Sequence, residues 1–362
     1  MMFRRIASAA AAACLLLSSP VMAQMQIPSD AEIQVLLDEA VSSGRTKGVA
    51  LGILRPDGSR RVLTAGTAGD KIGPVAPEHV FEIGSITKTF TGVLLAEAIR
   101  RGEVAPEDPV AKHLPAGTRV PTRGGKEITL LDLATHRSGL PRMPGEWTAP
   151  DPQNPYASYQ PEDILQFLAT HELAHDIGTQ RYSNYGAGLL GLALVRAAGA
   201  KDYKTLVRKR ILQPLKLRDT SFERPERGMS VGHAKNGEPV PHWDVDGLAG
   251  AGGLNSTVGD LLTYLDAHIG PARSDLERSM RAAQLPQRDI GKGVWKIGML
   301  WQMRERNGRW IVSHGGGTGG YGAFVAFDPQ SGAAVAALGN TDDFDGDFVL
   351  EILAPRLSQE GE

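Results

Sequence analysis

Segments with a strand-like pattern lie at both ends of the chain and enclose a long helical middle, and this distribution limits the fold more than any other feature. Near the N-terminus, residues 49–54 and 60–65 flank the turn sequence Pro56-Asp57-Gly58 and predict a β-hairpin. Near the C-terminus, turn-separated apolar segments predict strands at residues 294–301, 310–313, 323–327 and 333–338. Strands from both ends can bury their apolar faces in one antiparallel sheet, so the sequence predicts an α+β fold with a helical insertion.

The same pattern predicts two domains. Residues 24–80 and 286–362 are expected to form an α/β domain in which helices flank the antiparallel sheet, and residues 81–285 a mainly helical domain. Apolar residues at helical spacing predict helices at residues 29–44, 85–101, 130–135, 162–170, 185–198, 203–211, 257–268 and 348–357.

The first two dozen residues have the pattern of an export signal. Two arginines precede an apolar stretch at residues 6–17, and small residues before Gln24 offer a cleavage site after Ala23. The apolar stretch is shorter than the about 20 residues that a membrane-spanning helix needs, and no later stretch is long and apolar enough to span. A retained anchor, a buried helix or a lipoprotein attached through Cys14 are the alternatives. The sequence therefore predicts a cleaved signal peptide at residues 1–23 and a periplasmic protein without a membrane span.

Charge and cysteine content exclude several classes of function. The chain has 39 Lys+Arg against 41 Asp+Glu, a formal net charge of −2, and no basic run. This balance argues against nucleic acid or an anionic membrane surface as the main partner. A single cysteine excludes a disulfide framework within the chain and any Cys-based zinc or iron–sulfur site. We predict neither a cofactor nor a metal.

The first candidate motif is Ser85-Ile86-Thr87-Lys88, at the start of a strongly apolar helix. A three-residue offset places the two polar side chains on one helical face, within reach of each other. A serine hydroxyl is a weak nucleophile that needs a basic neighbour, and a helix N-terminus favours the negative charge that develops during attack. The alternative interpretation is a serine N-cap followed by a solvated lysine, which is a common arrangement.

The second candidate motif is Tyr182-Ser183-Asn184, which precedes another predicted helix. A tyrosine beside a lysine can have its pKa, normally about 10, lowered by the positive charge and then act as a general base. An asparagine supplies a donor and an acceptor in a fixed place. The alternative is a packed loop tyrosine followed by an asparagine that caps the helix.

The third candidate motif is the glycine-rich segment at residues 314–322, which reads His-Gly-Gly-Gly-Thr-Gly-Gly-Tyr-Gly. Such a segment lets a substrate lie against the backbone and bind to main-chain groups. It also contains Gly-x-Gly-x-x-Gly, but a dinucleotide site requires a helix to follow, whereas residues 323–327 predict a strand. The alternative is a flexible glycine hairpin.

In this order, the three motifs resemble those of the serine penicillin-recognising family, which contains class C β-lactamases, D-Ala-D-Ala carboxypeptidases and related esterases. The resemblance covers essentially the whole chain after the signal and is carried by residues 81–92, 133–141, 213–217 and 319–327. It implies a β-lactamase/transpeptidase-like fold, with an α/β domain, an all-helical domain and the active site between them.

The resemblance also implies an acyl-enzyme mechanism, in which Ser85 attacks a carbonyl group, Lys88 lies beside it, and Tyr182 acts as base and later activates the deacylating water. Backbone N–H groups of Ser85 and Gly317 would form the oxyanion hole. The substrate-binding residues that the resemblance implies are Asn184, His314, Gly316, Gly317 and Asn340, where Asn184 would hold an amide side chain and Asn340 the substrate carboxylate.

Residues 314–316 depart from the family pattern, because class C β-lactamases usually carry Lys-Thr-Gly where this chain has His-Gly-Gly. A histidine with a pKa of about 6.5 is mostly neutral at neutral pH, so the change spares the acyl chemistry but weakens the case for efficient β-lactam binding. It also predicts that ionisation of His314 limits kcat/KM near neutral pH. The first expectation is a β-lactamase that hydrolyses the β-lactam amide bond. The alternatives are a D-Ala-D-Ala carboxypeptidase or endopeptidase that acts on peptidoglycan peptides, and an esterase.

A competing signal is the pentapeptide His171-Glu172-Leu173-Ala174-His175, which matches the zinc-peptidase pattern. That motif binds zinc only inside a sustained helix, and Asp176-Ile177-Gly178 interrupts the helical period immediately after it. The simpler interpretation is a helix end with polar surface residues. A zinc peptidase using His171 and His175 is the remote alternative, and a family member that captures peptides without turnover is a further one.

Overall fold

The computed structural model describes residues 27–144, 148–291, 293–342, 344 and 346–354. The predicted signal peptide and the last part of the predicted closing helix lie outside these residues. Among the residues described, no helix combines the length and the apolar character needed to cross a membrane.

Nine strands of the described chain form one antiparallel sheet in the order β3-β2-β1-β11-β10-β9-β8-β7-β6, and a separate pair joins β4 to β5. The strands are β1 (Gly48–Leu54), β2 (Arg60–Gly69), β3 (Gly73–Pro74), β4 (Phe81–Glu82), β5 (Asn255–Ser256), β6 (Arg288–Gly291), β7 (Trp295–Ile297), β8 (Gln302–Arg306), β9 (Arg309–Gly317), β10 (Gly322–Phe327) and β11 (Ala334–Gly339). The sheet is continuous across the two ends of the chain because β1 pairs with β11, in a register that sets Val49 opposite Gly339.

Helices occupy the middle of the chain and both of its ends. They are α1 (Asp30–Ser42), α2 (Thr87–Arg100), α3 (Leu130–Ala134), α4 (Pro161–Thr170), α5 (Asn184–Ala197), α6 (Tyr203–Val207), α7 (Gln213–Leu215), α8 (Ala249–Gly252), α9 (Val258–Ala267), α10 (Asp275–Ala283) and α11 (Asp347–Leu353). A 3₁₀ turn at Gly84–Ile86 leads directly into α2, and a π-helical turn at Arg208–Leu212 continues α6.

The interior strand β1 is buried on both faces, and its side chains alternate between two hydrophobic cores. Leu51 and Ile53 point into the smaller core, which α1 and α11 cover. Ala50 and Leu54 point into the larger core, which contains α2, α5 and α9. Gly52 lets α9 approach closely, because a Cβ at this position would lie 2.8 Å from the side chain of Leu262.

These elements confirm the predicted α+β class, with an antiparallel sheet built from both ends of the chain. The predicted strand 294–301 is too long, because β7 ends at Ile297 and a turn follows before β8 begins. Leu300 has a left-handed backbone in this turn (φ 60°), and a Cβ at Gly298 would lie 2.5 Å from the carbonyl oxygen of Ala283. The turn therefore packs against α10, which an extended strand would not.

Candidate active site

Ser85 lies in the 3₁₀ turn that precedes α2, at the edge of the large core. Gly84, immediately before it, has φ +47°, and a Cβ there would lie 2.6 Å from the carbonyl oxygen of Gly317. A glycine is therefore required both by the backbone conformation and by the approach of β9. The consequence is that the Ser85 hydroxyl is held at the junction between α2 and the sheet.

Lys88 is fully buried one turn further along, in the first turn of α2. Its Nζ lies 2.9 Å from Ser85 Oγ and donates a hydrogen bond to the carbonyl oxygen of Ala251 at 2.6 Å. Burial is the main reason why the pKa of Lys88 lies well below its usual value, and the positive charge of Arg142 lowers it further. The site thus places an amine that loses its proton readily beside the hydroxyl of Ser85.

Tyr182 lies against the same amine, in the loop before α5. Lys88 Nζ is 5.0 Å from the centroid of the Tyr182 ring, and the Arg142 guanidinium carbon is 5.1 Å from it. Burial raises the pKa of Tyr182 to about 12, although the neighbouring Ser85 hydroxyl and the charge of Arg142 act to lower it. The lowered pKa expected for Tyr182 from the sequence is therefore not what the structure shows, and the phenol stays protonated at neutral pH.

His136 is a residue of this site to which sequence reasoning assigned no role. Its ring is buried, lies tilted by 39° against the Tyr182 ring with 4.5 Å between ring centroids, and accepts a hydrogen bond at Nδ1 from the Ser183 backbone N–H at 3.3 Å. Its own carbonyl accepts from the backbone N–H of Arg181 at 2.8 Å. Burial lowers the pKa of His136, and the charge of Lys88 adds to this effect. A neutral His136 therefore holds the Tyr182 loop from both sides.

Asn184 is the first residue of α5, and its neighbour Ser183 is the N-cap, whose Oγ accepts from the Gly186 N–H at 2.7 Å. Because Ser183 caps the helix, the Asn184 side chain is not needed for capping. Its Nδ2 lies 3.4 Å from the Tyr156 hydroxyl, while its buried Oδ1 has no hydrogen-bond partner among the described residues. This oxygen is available to accept a hydrogen bond from a bound amide N–H.

The opposite side of the site is the backbone of β9, which extends to Gly317, beyond the predicted strand end at residue 313. A Cβ at Gly316 would lie 2.0 Å from the carbonyl oxygen of Ile83 and 3.1 Å from the backbone nitrogen of Ser85. The main chain at residues 316–317 therefore lies directly against the turn that carries Ser85. The sequence-predicted oxyanion pair, Ser85 and Gly317, is brought together.

His314 lies on β9 with its ring almost fully buried, and its Nδ1 lies 2.6 Å from the carbonyl oxygen of Gly315. Burial, together with the charge of Lys88, lowers the pKa of His314 to about 3. The expectation that this histidine ionises near neutral pH is therefore wrong. The ring is neutral over the whole range in which the free side chain would titrate.

Asn340 is brought close to the sheet but not into the pocket. It is fully buried, and its Nδ2 donates hydrogen bonds to the carbonyl oxygen of Thr67 at 3.0 Å and to Ser230 Oγ at 3.1 Å. These contacts tie the end of β11 to neighbouring chain segments. No contact in the described structure directs the amide of Asn340 towards Ser85.

The zinc-peptidase pattern is not formed as a helical pair. Helix α4 ends at Thr170, His171 is its C-cap residue with an extended backbone, and His175 lies beyond the helix. The His171 ring stacks on Phe167 with 4.6 Å between centroids. The two imidazoles are therefore not presented on consecutive turns of one helix, as that metal site requires.

A cavity opens beside Ser85, between the helical side and the sheet side of the site. The helical side contributes Arg142, Tyr156 and Asn184, and the sheet side contributes Gly317 and Thr318. Trp243 packs edge-on against Tyr156, with 5.2 Å between ring centroids, and completes an aromatic wall. The site thus brings together a nucleophile, a buried amine, backbone donors and an amide-binding group. These are the groups that acyl transfer requires.

Comparison with known proteins adds independent findings. A family model described as Beta-lactamase matches residues 33–358. The D-alanyl-D-alanine-carboxypeptidase/endopeptidase AmpH of Escherichia coli (strain K12) is 32% identical over 309 residues, which cover 80% of this chain and 77% of the relative. A protein named Beta-lactamase from the same strain is 31% identical over 306 residues, with 74% of this chain and 77% of the relative covered.

Solved structures share the fold. The Beta-Lactamase/D-Alanine Carboxypeptidase from Pseudomonas syringae superposes with a TM-score of 0.77 at 21% identity, covering 92% of this chain and 100% of that one. The class C beta lactamase from Rhodobacter sphaeroides gives a TM-score of 0.73 at 23% identity, covering 89% and 99%. The α+β arrangement described above is therefore that of these proteins.

Proposed function

This chain belongs to the beta-lactamase family and is a serine hydrolase, and on that premise we propose that it cleaves the β-lactam amide bond through a covalent acyl-enzyme on Ser85. The observation that carries this proposal is the fully buried Lys88, whose Nζ lies 2.9 Å from Ser85 Oγ. Burial lowers the pKa of this amine and so favours its neutral form, which is the form that can take the serine proton.

In the proposed acylation, Ser85 Oγ attacks the substrate carbonyl carbon while its proton passes to the neutral amine of Lys88. Backbone N–H groups of Ser85 and Gly317 bind the developing oxyanion, where one such donor is worth about 2.7–4 kcal/mol. The C–N bond then breaks, and the proton reaches the leaving nitrogen through the Tyr182 hydroxyl. Because the pKa of Tyr182 is raised to about 12, we assign Tyr182 the role of a neutral relay and Lys88 that of the base.

Deacylation follows the same route with water as the nucleophile. Water attacks the ester carbonyl and gives up its proton through Tyr182 and Lys88, and Ser85 Oγ recovers a proton as the C–O bond breaks. The net reaction consumes one water and turns an amide into a carboxylic acid and an amine. Asn184 accepts the N–H of the acyl amide through its free Oδ1 in this proposal, while Gly316 and the neutral His314 shape the strand wall.

A second candidate is a D-Ala-D-Ala carboxypeptidase or endopeptidase that acts on peptidoglycan peptides. The observation that favours it is the sequence likeness to AmpH, with 32% identity over 309 residues. The relative AmpH carries that activity in its name. Both candidates are acylated by penicillins, and they differ in how fast the penicilloyl ester is hydrolysed.

Labelling with a fluorescent penicillin tests the proposal. We expect the wild type and the control Ser42→Ala, which changes an exposed serine of α1, to form a covalent adduct that survives denaturation, and Ser85→Ala to form none. Labelling of Ser85→Ala would refute the mechanism. Steady-state hydrolysis of a penicillin against a D-Ala-D-Ala peptide and a short-chain ester then separates the candidates, and an adduct that never turns over would indicate a capture protein.

We further propose that the chain is exported and cleaved after Ala23, with residues 24–80 and 286–362 as one domain and residues 81–285 as the other. The charged start, the apolar stretch at residues 6–17 and the small residues that follow support this proposal. N-terminal sequencing of the periplasmic protein is expected to begin at Gln24. A start at Met1 in the membrane fraction would contradict it.

A further inference from the structure

Arg142 is the charged residue of the described cavity lining, which contains neither aspartate nor glutamate. Its side chain is exposed, and within the described residues no hydrogen bond or ion pair joins its guanidinium to another group. Its contact is with the face of the Tyr182 ring, 5.1 Å from the guanidinium carbon. An unpaired guanidinium beside a nucleophile is a group that a bound anion can satisfy.

The backbone around Arg142 is held firmly against the start of α5. The Tyr185 N–H donates to the carbonyl oxygen of Arg142 at 3.1 Å, and Ser183 Oγ donates to the carbonyl oxygen of Pro141 at 2.6 Å. Arg142 therefore stands on the side of the cavity that carries Asn184. In the proposed mechanism this is the side that receives the acyl amide.

The other basic groups near Tyr182 do not supply a permanent charge to the cavity. Lys88, His136 and His314 are buried, and burial lowers the pKa of each of them. Arginine stays protonated at all working pH values and is suited to carboxylate binding by its planar fork. Among the described residues that line the cavity, Arg142 is thus the one that supplies a permanent positive charge.

We propose that Arg142 is a specificity-determining residue that binds a carboxylate on the acyl side of the substrate, close to the amide held by Asn184. The preferred acyl donors are accordingly those with an acidic substituent next to the acyl amide, either a penicillin with an acidic side chain or a peptide with a free carboxylate at that place. This inference rests on the proposed function, since it concerns the same cavity and the same acyl-enzyme.

Three penicillins that differ only at the side-chain α-carbon test the inference: benzylpenicillin with hydrogen, carbenicillin with a carboxylate and ampicillin with an ammonium group. The measurement is the second-order rate constant of Ser85 acylation for each, at low and at high salt. We expect carbenicillin to be favoured over benzylpenicillin by about fivefold, the upper size of a partly exposed ion pair, and ampicillin to be disfavoured. Salt should reduce the difference.

The variants compare the ratio of the carbenicillin and benzylpenicillin rate constants, so that a general loss of activity does not decide the outcome. Arg142→Gln should bring the ratio to about one, Arg142→Lys should keep part of the preference, and the control Arg181→Gln, an exposed arginine outside the cavity lining, should keep all of it. Equal acylation by all three penicillins, or a ratio that Arg142→Gln leaves unchanged, would overturn the inference while leaving the proposed function intact. Failure of every penicillin to acylate Ser85 would instead refute the proposed function.

Discussion

The two sides of the cavity contribute their functional groups in different ways. The helical wall, by which we mean Ser85, Lys88, Tyr182, Asn184 and Arg142, acts through side chains, and burial shifts the pKa values of Lys88 and Tyr182 among them. The strand wall, formed by residues 314–318, acts through main chain that comes close because glycines carry no Cβ. The helical wall is therefore sensitive to changes in charge and burial, and the strand wall to changes in volume.

The largest effect is expected from the helical wall. Lys88→Met fills a similar space but removes the base, so kcat/KM should fall by about 10²–10⁴-fold. The control is Lys126→Met, which changes an exposed lysine outside the cavity lining. The Tm of Lys88→Met should not fall, because the variant removes a buried amine. Steady-state kinetics measure the change in kcat/KM, and a melting curve measures the change in Tm. Activity retained within tenfold would show that Lys88 is not the base.

The strand wall gives the next effect, through volume alone. Gly316→Ala places a Cβ 2.0 Å from the carbonyl oxygen of Ile83, so β9 must move away from Ser85. Loss of one oxyanion donor costs about 10²–10³-fold in kcat. Gly315→Ala is the matched control, because its Cβ would meet the Phe324 ring at 3.4 Å, an ordinary contact. Equal activity of the two variants would show that the close approach at Gly316 does not position the oxyanion hole.

A smaller effect is expected for Asn184→Ala, which returns to the helical wall. The free Oδ1 of Asn184 should accept one hydrogen bond from the acyl amide, and such a bond contributes about 0.5–1.5 kcal/mol. We therefore expect kcat/KM to fall by up to about tenfold for a penicillin and to stay unchanged for a short-chain ester that has no acyl amide. The same loss with both substrates would mean that Asn184 supports the structure of the site and does not bind the amide.

The smallest effect concerns the pH dependence of activity, which compares His314 of the strand wall with Lys88 of the helical wall. His314 has its pKa lowered to about 3 and is neutral between pH 5 and 8, whereas Lys88 becomes an active base only above its lowered pKa. Activity should thus rise with pH as Lys88 loses its proton, and His314→Gln should leave the midpoint of that rise in place. A kcat/KM profile measured from pH 4 to 9 checks this. A midpoint that disappears in His314→Gln would identify the histidine as the titrating group.

The sequence was sufficient to predict those features of the structure that depend on residues close together in the chain. The spacing of Ser85 and Lys88 on one helical face, the glycines that let β9 approach, and the hairpin of β1 and β2 all depend on neighbouring residues. The ends of most helices were also predicted within a few residues. Helix α10 was missed although Ser274 caps it, because its many charged residues hide the apolar face formed by Leu276 and Met280.

What could not be predicted depends on contacts between distant segments. The pKa of Lys88 is lowered by burial against α8, whose Ala251 is 163 residues away in sequence. His136 has a left-handed backbone (φ 55°), and its ring lies against Tyr182. No residue pattern in the sequence predicts that backbone conformation. Asn340 lies at the sequence position where class C enzymes hold the substrate carboxylate. Its hydrogen bonds to Thr67 and Ser230 depend on tertiary contacts that the sequence does not reveal.

The pairing of β1 with β11 also has a consequence for how the protein becomes active. Ser85 and Lys88 are made early, whereas the strand that faces them is separated from them by more than two hundred residues of chain. Long-range pairing of this kind folds slowly, because distant segments must meet before their contacts stabilise them. A chain that ends before β9 would carry the nucleophile without an oxyanion hole, so hydrolytic activity should appear only once the C-terminal strands have docked.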